Sequence, residues 1–184
     1  MGKAMNPEAP LMRKLRVQLV RHAEPKQAHL PLRSVMLTAT NAPTPPFAQV
    51  AEPDRMAEPA FALVAQGAKR VVLGNQVFDY AAGQYLIFSV HLPLSGRVVR
   101  ASENEPFLGF GLKLKPDVIA ALLLETGAPR KAKIEPPAIA VSDLTDDLVD
   151  PVIRLLRLLV QIPAHRGQSF RRIADSVPVI ADSF

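Results

Sequence analysis

The 184-residue chain contains no cysteine and no tryptophan. Without cysteine it can form no disulfide, no thiolate metal site and no thiol nucleophile. Without tryptophan it offers little aromatic surface on which the bases of a single-stranded nucleic acid could stack. No apolar run reaches the roughly 20 residues of a membrane-spanning helix, and basic residues interrupt the N-terminal pattern that a signal peptide needs. Hydrophobic residues make up 48% of the chain and charged residues 21%, which predicts a globular protein. The lack of cysteine fits a reducing cytoplasm, and no membrane partner is expected.

The motifs of the common enzyme classes are also missing. The four histidines stand far apart, and none has the H-x-H or H-E-x-x-H spacing of metal ligands: His22, His29, His91 and His165. The sequence has no G-x-S-x-G elbow, and its glycines match neither a dinucleotide fingerprint nor a P-loop. We therefore expect no metal, no cofactor and no catalytic residue.

The positive charge is concentrated at the N-terminus. The formal net charge is +5, and residues 1–33 account for all of it, with seven Lys or Arg against two Glu. Within this segment, residues 11–23 place five apolar side chains at helical spacing: Leu11, Met12, Leu15, Leu19 and Val20. The basic residues then form the solvated face of an amphipathic helix. Direct contact of this face with nucleic acid is an alternative interpretation.

Strand signals dominate the middle of the chain. Residues 60–115 contain five or six short apolar runs bounded by Gly, Pro or Asn, which is typical of a sandwich or a barrel. Gly74-Asn75 suits a two-residue hairpin turn with a positive φ at the glycine. The run from Tyr85 to Phe88 is apolar at every position, so that both faces of its strand are expected to be covered.

Two helices are predicted after the strands. Pro116 suits a first helical position, and Gly127 suits the end of the same helix. A second helix is predicted to begin with Asp150 as cap and Pro151 at its first position. Its apolar residues spread beyond one face, which predicts a homodimer contact. The expected interface residues are Val152, Leu155, Leu156, Leu158 and Leu159.

Residues 61–117 also carry an ordered motif, L-x-x-Q-G-x-K followed by spaced Gly, Tyr, Leu, S-V-x-L-P and Gly. Its positions are Leu63, Gln66, Gly67, Lys69, Gly74, Tyr80, Gly83, Leu86, Ser89, Val90, Leu92, Pro93 and Gly96. In this motif the chain closely resembles the N-terminal regulatory domain of AraC-type transcriptional regulators. The resemblance extends from the leading helix to about Gln161.

The resemblance implies a fold that is mostly β with flanking helices, an α+β class. The strands would form a cupin-like double-stranded β-helix barrel with an N-terminal helix and C-terminal helices. It divides the chain into an N-terminal helix and arm (1–41), the barrel (42–115), the dimerisation helices (116–161) and an irregular tail (162–184). Such regulators contact DNA through a helix-turn-helix domain, which we expect to be absent from this chain.

The resemblance further implies that the domain binds a small-molecule effector and dimerises. The candidate ligand-binding residues are Gln66, Tyr85, Phe88, His91 and Phe110. Because successive side chains of a strand alternate between its faces, Tyr85 and Phe88 are not both expected to face one cavity. A metal-independent cupin enzyme, such as an isomerase or epimerase, is the alternative function.

Overall fold

The computed structural model describes residues 6–22, 34–43, 56–127 and 137–161 of the chain. The predicted irregular tail at 162–184 lies outside the described residues. The described elements, in chain order, are α1 (Pro10–His22), β1 (Val35–Thr40), β2 (Ala60–Gln66), β3 (Ala68–Leu73), β4 (Gln76–Ala81), β5 (Gln84–Phe88), β6 (Leu94–Arg100), β7 (Phe107–Lys113), α2 (Pro116–Thr126), β8 (Ile139–Asp143) and α3 (Asp146–Gln161).

The described strands form two antiparallel sheets. One has five strands in the order β1-β7-β2-β5-β8, and the other has three in the order β4-β3-β6. The predicted α+β class is therefore confirmed. The backbone pairings of these named strands do not join the two sheets into a closed barrel. Strands β1 and β8 fall outside the predicted barrel segment of 42–115, yet both pair with the five-stranded sheet.

Both faces of the five-stranded sheet are covered. On one face, Leu63 and Phe110 belong to a buried cluster with residues of α1 and α3. On the opposite face, Leu86 and Phe88 belong to a second buried cluster with Val71 of the three-stranded sheet. The five-stranded sheet is thus the middle layer, with helices on one side and the smaller sheet on the other. Double coverage explains why β5 is apolar at consecutive positions.

Two glycines make tight backbone geometry possible. Gly74 has a φ of +58° in the turn between β3 and β4, which confirms the predicted hairpin. Gly67 has a φ of +83° between β2 and β3, and a Cβ at this position would lie 2.4 Å from the carbonyl oxygen of Arg100. A side chain at Gly67 would therefore meet both backbone strain and a steric clash.

Helix α1 packs against α3 and the middle sheet. Met12, Leu15 and Leu19 are buried, as its predicted stripe requires, but Val20 is 54% exposed and lies outside that stripe. The guanidinium of Arg16 donates from Nε to the carbonyl oxygen of Ala65 over 3.0 Å. This bond fixes the helix to β2 at a register shift between Val64 and Gln66.

The predicted ends of α2 agree with the structure, whereas the predicted start of α3 does not. Helix α2 begins at Pro116 and is followed by Gly127 with a φ of +58°, as predicted. Helix α3 begins at Asp146, so the predicted start at Asp150 is wrong. The carbonyl oxygen of Thr145 already accepts the backbone N–H groups of Leu148 and Val149. Pro151 is consequently inside the helix, where the missing N–H costs one hydrogen bond.

Candidate functional site

A cavity of about 820 Å³ lies between the two sheets. Its apolar wall comes from the facing sides of both sheets and from the segment before β2. The apolar lining residues are Met36, Met56, Ala57, Ala60, Ala62, Val71, Leu86, Phe88 and Leu94. The volume lies within the range of roughly 300–1,000 Å³ that small-molecule sites occupy, and such sites typically combine an apolar wall with a few polar groups.

Strand register places two polar side chains in this apolar wall. Lys69 pairs with Tyr80 on β4 and with Val98 on β6, and all three share the inner face of the small sheet. Lys69 and Tyr80 both line the cavity. Within the described part of the chain, neither Lys69 nor Tyr80 has a hydrogen bond or ion pair from its side chain. The inner face therefore presents an ammonium and a hydroxyl that have no protein partner there.

Desolvation changes the proton affinity of both groups. Burial lowers the pKa of Lys69 from its ordinary value of 10.5, because the charged ammonium is poorly solvated among apolar side chains. Burial raises the pKa of Tyr80, whose ionised form would be an anion in the same surroundings. Tyr80 consequently remains a neutral hydrogen-bond donor at physiological pH.

A second lysine at the cavity is already paired. Lys113, at the end of β7, forms an ion pair with Glu58, and both side chains line the cavity. The hydrogen bond from Lys113 and its positive charge lower the pKa of Glu58 below its ordinary value. Both partners are substantially exposed, so the pair belongs to the solvent-facing edge of the cavity. Lys113 is thereby neutralised, whereas Lys69 has no such partner among the described residues.

The predicted ligand-binding residues are distributed over different parts of the molecule. Phe88 lines the cavity. Tyr85 and Phe110 lie on the opposite face of the same sheet, where Tyr85 contacts Phe61 with ring centroids 5.2 Å apart. Gln66 donates from Nε2 to the carbonyl oxygen of Pro106 over 3.0 Å.

His91 lies at a second, smaller depression. This depression has a volume of about 190 Å³ and includes both members of the Glu58–Lys113 ion pair. His91 is exposed and follows the end of β5. The structure thus brings only Phe88, of the five predicted residues, to the large cavity.

The predicted dimer residues of α3 are mostly covered within the chain. Val152, Leu156 and Leu159 are buried in the cluster that includes α1 and the middle sheet, and Leu155 is partly buried against it. Leu158 is 57% exposed. Helix α2 differs, because none of its side chains is buried. Its exposed apolar residues are Val118, Ile119, Leu122, Leu123 and Leu124.

Lys69 and Leu86 line the cavity but are not among the predicted ligand-binding residues. Both stand in the family motif, and a signal for Lys69 was present, since it alternates with Val71 and Leu73 along β3. Side chains two residues apart share one face of a strand, so a buried Val71 places Lys69 on the inner side. For Leu86, the preceding Tyr85 and the following Ile87 are equally apolar, and the pattern could not distinguish the two faces.

No group of three or more His, Asp or Glu side chains that could hold a metal ion occurs within residues 6–22, 34–43, 56–127 and 137–161. His29 and His165 lie outside those residues. Across the same ranges, no helix is long and apolar enough to cross a membrane.

Two facing antiparallel sheets thus enclose a mainly apolar cavity, and α1 and α3 pack on the other face of the larger sheet. The family model described as the AraC-type transcriptional regulator N-terminus matches residues 31–167, which is well over half of the chain. The chain therefore belongs to this family of transcription-regulator domains. No curated protein matches the chain in sequence.

Solved structures of ToxT from Vibrio cholerae are similar to the chain. The apo K231A variant has 7% sequence identity and a TM-score of 0.49, with 69% of this chain and 48% of that chain covered. A complex of ToxT with an unsaturated fatty acid has 8% identity and a TM-score of 0.43, with 71% and 49% covered. A complex with (E)-4-(8-methylnaphthalen-1-yl)but-3-enoic acid has 7% identity and a TM-score of 0.44, with 71% and 50% covered. The chain spans about half the length of these structures.

Proposed function

We propose that this chain is the effector-binding module of an AraC-type transcriptional regulator, and that the effector occupies the cavity between the two sheets. The observation that carries the proposal is the cavity itself, which has a mainly apolar wall and two polar groups, Lys69 and Tyr80, whose side chains have no partner among the described residues. Family membership supports a regulatory rather than a catalytic role. The cupin-like barrel belongs to the same proposal, because the two sheets face each other across a shared buried cluster.

The middle sheet offers a route by which ligand binding can influence the helices. Ala62 and Leu86 line the cavity, while the adjacent Leu63 and Tyr85 pack in the cluster that contains α1 and α3. A ligand that shifts β2 or β5 therefore shifts residues that support both helices. Cores are tightly packed, so such displacements are transmitted rather than absorbed. We propose that the effector acts through the packing of α1 and α3 on this sheet.

Homodimerisation is a further part of the proposal, and α2 is the element that supports it best. A helix that is apolar on all sides is normally buried, yet α2 exposes its five large apolar side chains. Association of two copies through α2 would remove this surface from water. On α3, by contrast, the apolar side is already largely covered by α1 and the sheet.

A cavity-filling variant tests the proposed effector site. Ala62 lines the cavity, so Ala62→Phe places a ring in the space that the effector would occupy. Val77 on β4 is 55% exposed, and Val77→Phe adds the same ring outside the cavity as the matched control. Wild type and both variants are screened against a library of small metabolites by thermal unfolding, with circular dichroism to verify folding.

We expect at least one compound to stabilise the wild type and Val77→Phe but not Ala62→Phe. A ligand present at about 100 times its Kd adds about 2.7 kcal/mol to the free energy of unfolding. Mass spectrometry should recover this compound unchanged after incubation, whereas conversion would favour the alternative of a metal-independent enzyme. Equal stabilisation of all three proteins would place binding elsewhere and contradict the proposal.

A further inference from the structure

Lys69 is a partly buried cation without a counter-ion in the described part of the chain. The neighbouring basic residue on the same strand, Arg70, forms two bonds of 2.7 Å to the carboxylate of Asp79 on the outer face. Lys113 is paired with Glu58 at the edge of the cavity. No described carboxylate forms an ion pair with Lys69. Removing an ammonium from water without a partner is unfavourable, so the Lys69 ammonium is expected to have a role that offsets this cost.

The side chains around Lys69 determine which kind of ligand could bind next to it. Its inner-face neighbours Val71 and Val98 are apolar and buried, and Tyr80 opposite supplies a hydroxyl. Across the cavity stand Leu86 and Phe88 of the middle sheet. One positive charge and one neutral donor therefore stand among mainly apolar lining residues, an arrangement that suits one anionic head group and an apolar body.

We propose that the effector is an organic monoanion, a carboxylic acid with an apolar body, whose carboxylate accepts hydrogen bonds from the Lys69 ammonium and the Tyr80 hydroxyl. The apolar body lies along Leu86 and Phe88. This inference rests on the proposed function, since it concerns the same cavity, and it specifies the chemical class of the ligand. The carboxylate gives Lys69 a counter-ion that none of the described residues provides, and it thereby favours the charged ammonium.

The charges at the cavity favour a monoanion over other classes. Lys113 is neutralised by Glu58, so that Lys69 is the one unpaired cation among the described lining residues. A cationic ligand would be repelled by Lys69, and a neutral alcohol would leave its charge uncompensated. A dianionic phosphate would carry one charge more than Lys69 can neutralise, near the carboxylate of Glu58.

Three ligands that share one apolar chain separate these classes. Decanoate, decanol and decylamine carry a negative, a neutral and a positive head group, and each is titrated by calorimetry into the full chain. Decanoate and decylamine are kept below their micelle concentrations, and decanol is kept below its solubility limit. The variants are Lys69→Met and, as a second substitution that keeps a polar side chain, Lys69→Gln. Arg70→Met is the matched control, because it removes the same charge from the adjacent position of the same strand, on the face away from the cavity.

We expect the wild type and Arg70→Met to bind decanoate at least tenfold more tightly than decanol, and not to bind decylamine. Lys69→Met and Lys69→Gln each remove a charge-assisted hydrogen bond, and so the affinity for decanoate should fall by about tenfold or more. The affinity for decanol should be unchanged. Equal affinities of decanoate and decanol, or full decanoate affinity in both Lys69 variants, would overturn the monoanion assignment but leave cavity binding intact. The monoanion assignment would also be wrong if the wild type bound none of the three ligands. The proposed function is tested separately by the cavity-filling variant Ala62→Phe.

Discussion

Lys69 and Tyr80 lie directly opposite each other on the neighbouring strands β3 and β4, and both side chains line the cavity. The next pair along the same strands, Arg70 and Asp79, is joined by an ion pair on the outer face. Because side chains alternate along a strand, the two adjacent polar pairs lie on opposite faces of the small sheet. The outer pair is satisfied within the protein, whereas neither side chain of the inner pair has a hydrogen-bond partner among the described residues.

The first prediction concerns the effect of Lys69 on the free energy of unfolding when no ligand is bound. At neutral pH, Lys69→Met should raise the free energy of unfolding of the ligand-free protein, by on the order of 1 kcal/mol, because it removes a desolvated charge. Since burial lowers the pKa of Lys69, the unfolded chain binds this proton more tightly than the folded chain. The stability of the wild type relative to Lys69→Met should therefore rise as the pH rises towards 10.5, the ordinary pKa of the group.

Urea denaturation of wild type and Lys69→Met between pH 7 and pH 10 measures this difference directly. Arg70→Met, which breaks an exposed ion pair, should be neutral or slightly destabilising at every pH. If Lys69→Met is the less stable protein at pH 7, the lysine makes a favourable contact in the free protein, and the account of an unpaired cation is wrong.

The second prediction concerns His22 at the end of α1. His22 is 7% exposed, and its Nε2 has no hydrogen-bond partner among the described residues. Burial, and to a lesser extent the charge of Arg21, lower the pKa of His22 below 6.5, against a hydrogen bond with the backbone of Leu156. The unfolded chain therefore takes up a proton near pH 6.5 that the folded chain does not, and stability should fall as the pH drops through this value.

Replacement of His22 by Leu should reduce this acid dependence. The measurement is the free energy of unfolding from pH 7.5 to pH 5, in wild type and His22→Leu. His91→Leu is the control, because it removes an exposed histidine instead. An unchanged pH dependence in His22→Leu would show that α1 is not the acid-sensitive part of the fold.

The third prediction concerns the exposed helix α2. If α2 forms the dimer contact, the double variant Leu122→Glu and Leu123→Glu should sediment as a folded monomer, because it places charges in an apolar interface. Leu158→Glu on α3 serves as the comparison and should remain dimeric. A wild-type chain that sediments as a monomer at high micromolar concentration would contradict dimerisation. A monomeric Leu158→Glu variant would show that α3 forms the dimer contact.

Local signals in the sequence were sufficient for much of the fold. The turn at Gly74 and the helix between Pro116 and Gly127 were predicted because each depends on a few adjacent residues. The start of α3 was missed because Asp150-Pro151 has the chemistry of a helix start, although Thr145 already begins the helix four residues upstream of Val149. Strand β8 was not predicted, because its pairing partner β5 lies far upstream in the chain and no local signal reveals that pairing.

The cavity could not be predicted to the same degree, because the middle sheet is covered on both faces. When each face of a strand is apolar, alternation does not show which side chains meet the cavity and which meet the helices. Tyr85 and Leu86 are adjacent and both apolar enough for either role, yet Tyr85 packs towards the helices and Leu86 towards the cavity. Only the polar Lys69, alternating with Val71, carried a sequence signal for the inner face.

The most direct test of the account is whether a carboxylic acid occupies the cavity, and methionine methyl groups report on this by nuclear magnetic resonance. Met36 and Met56 line the cavity, whereas Met12 is buried in the cluster between the middle sheet and the helices. The chain is labelled with ¹³C at the methionine methyls and titrated with decanoate, with assignments from single Met→Leu variants. If the acid binds in the cavity, the signals of Met36 and Met56 will shift in a saturable manner, and these shifts will be lost in Ala62→Phe. Shifts of equal size in Ala62→Phe, or no shift of Met36 and Met56 at saturation, would contradict it.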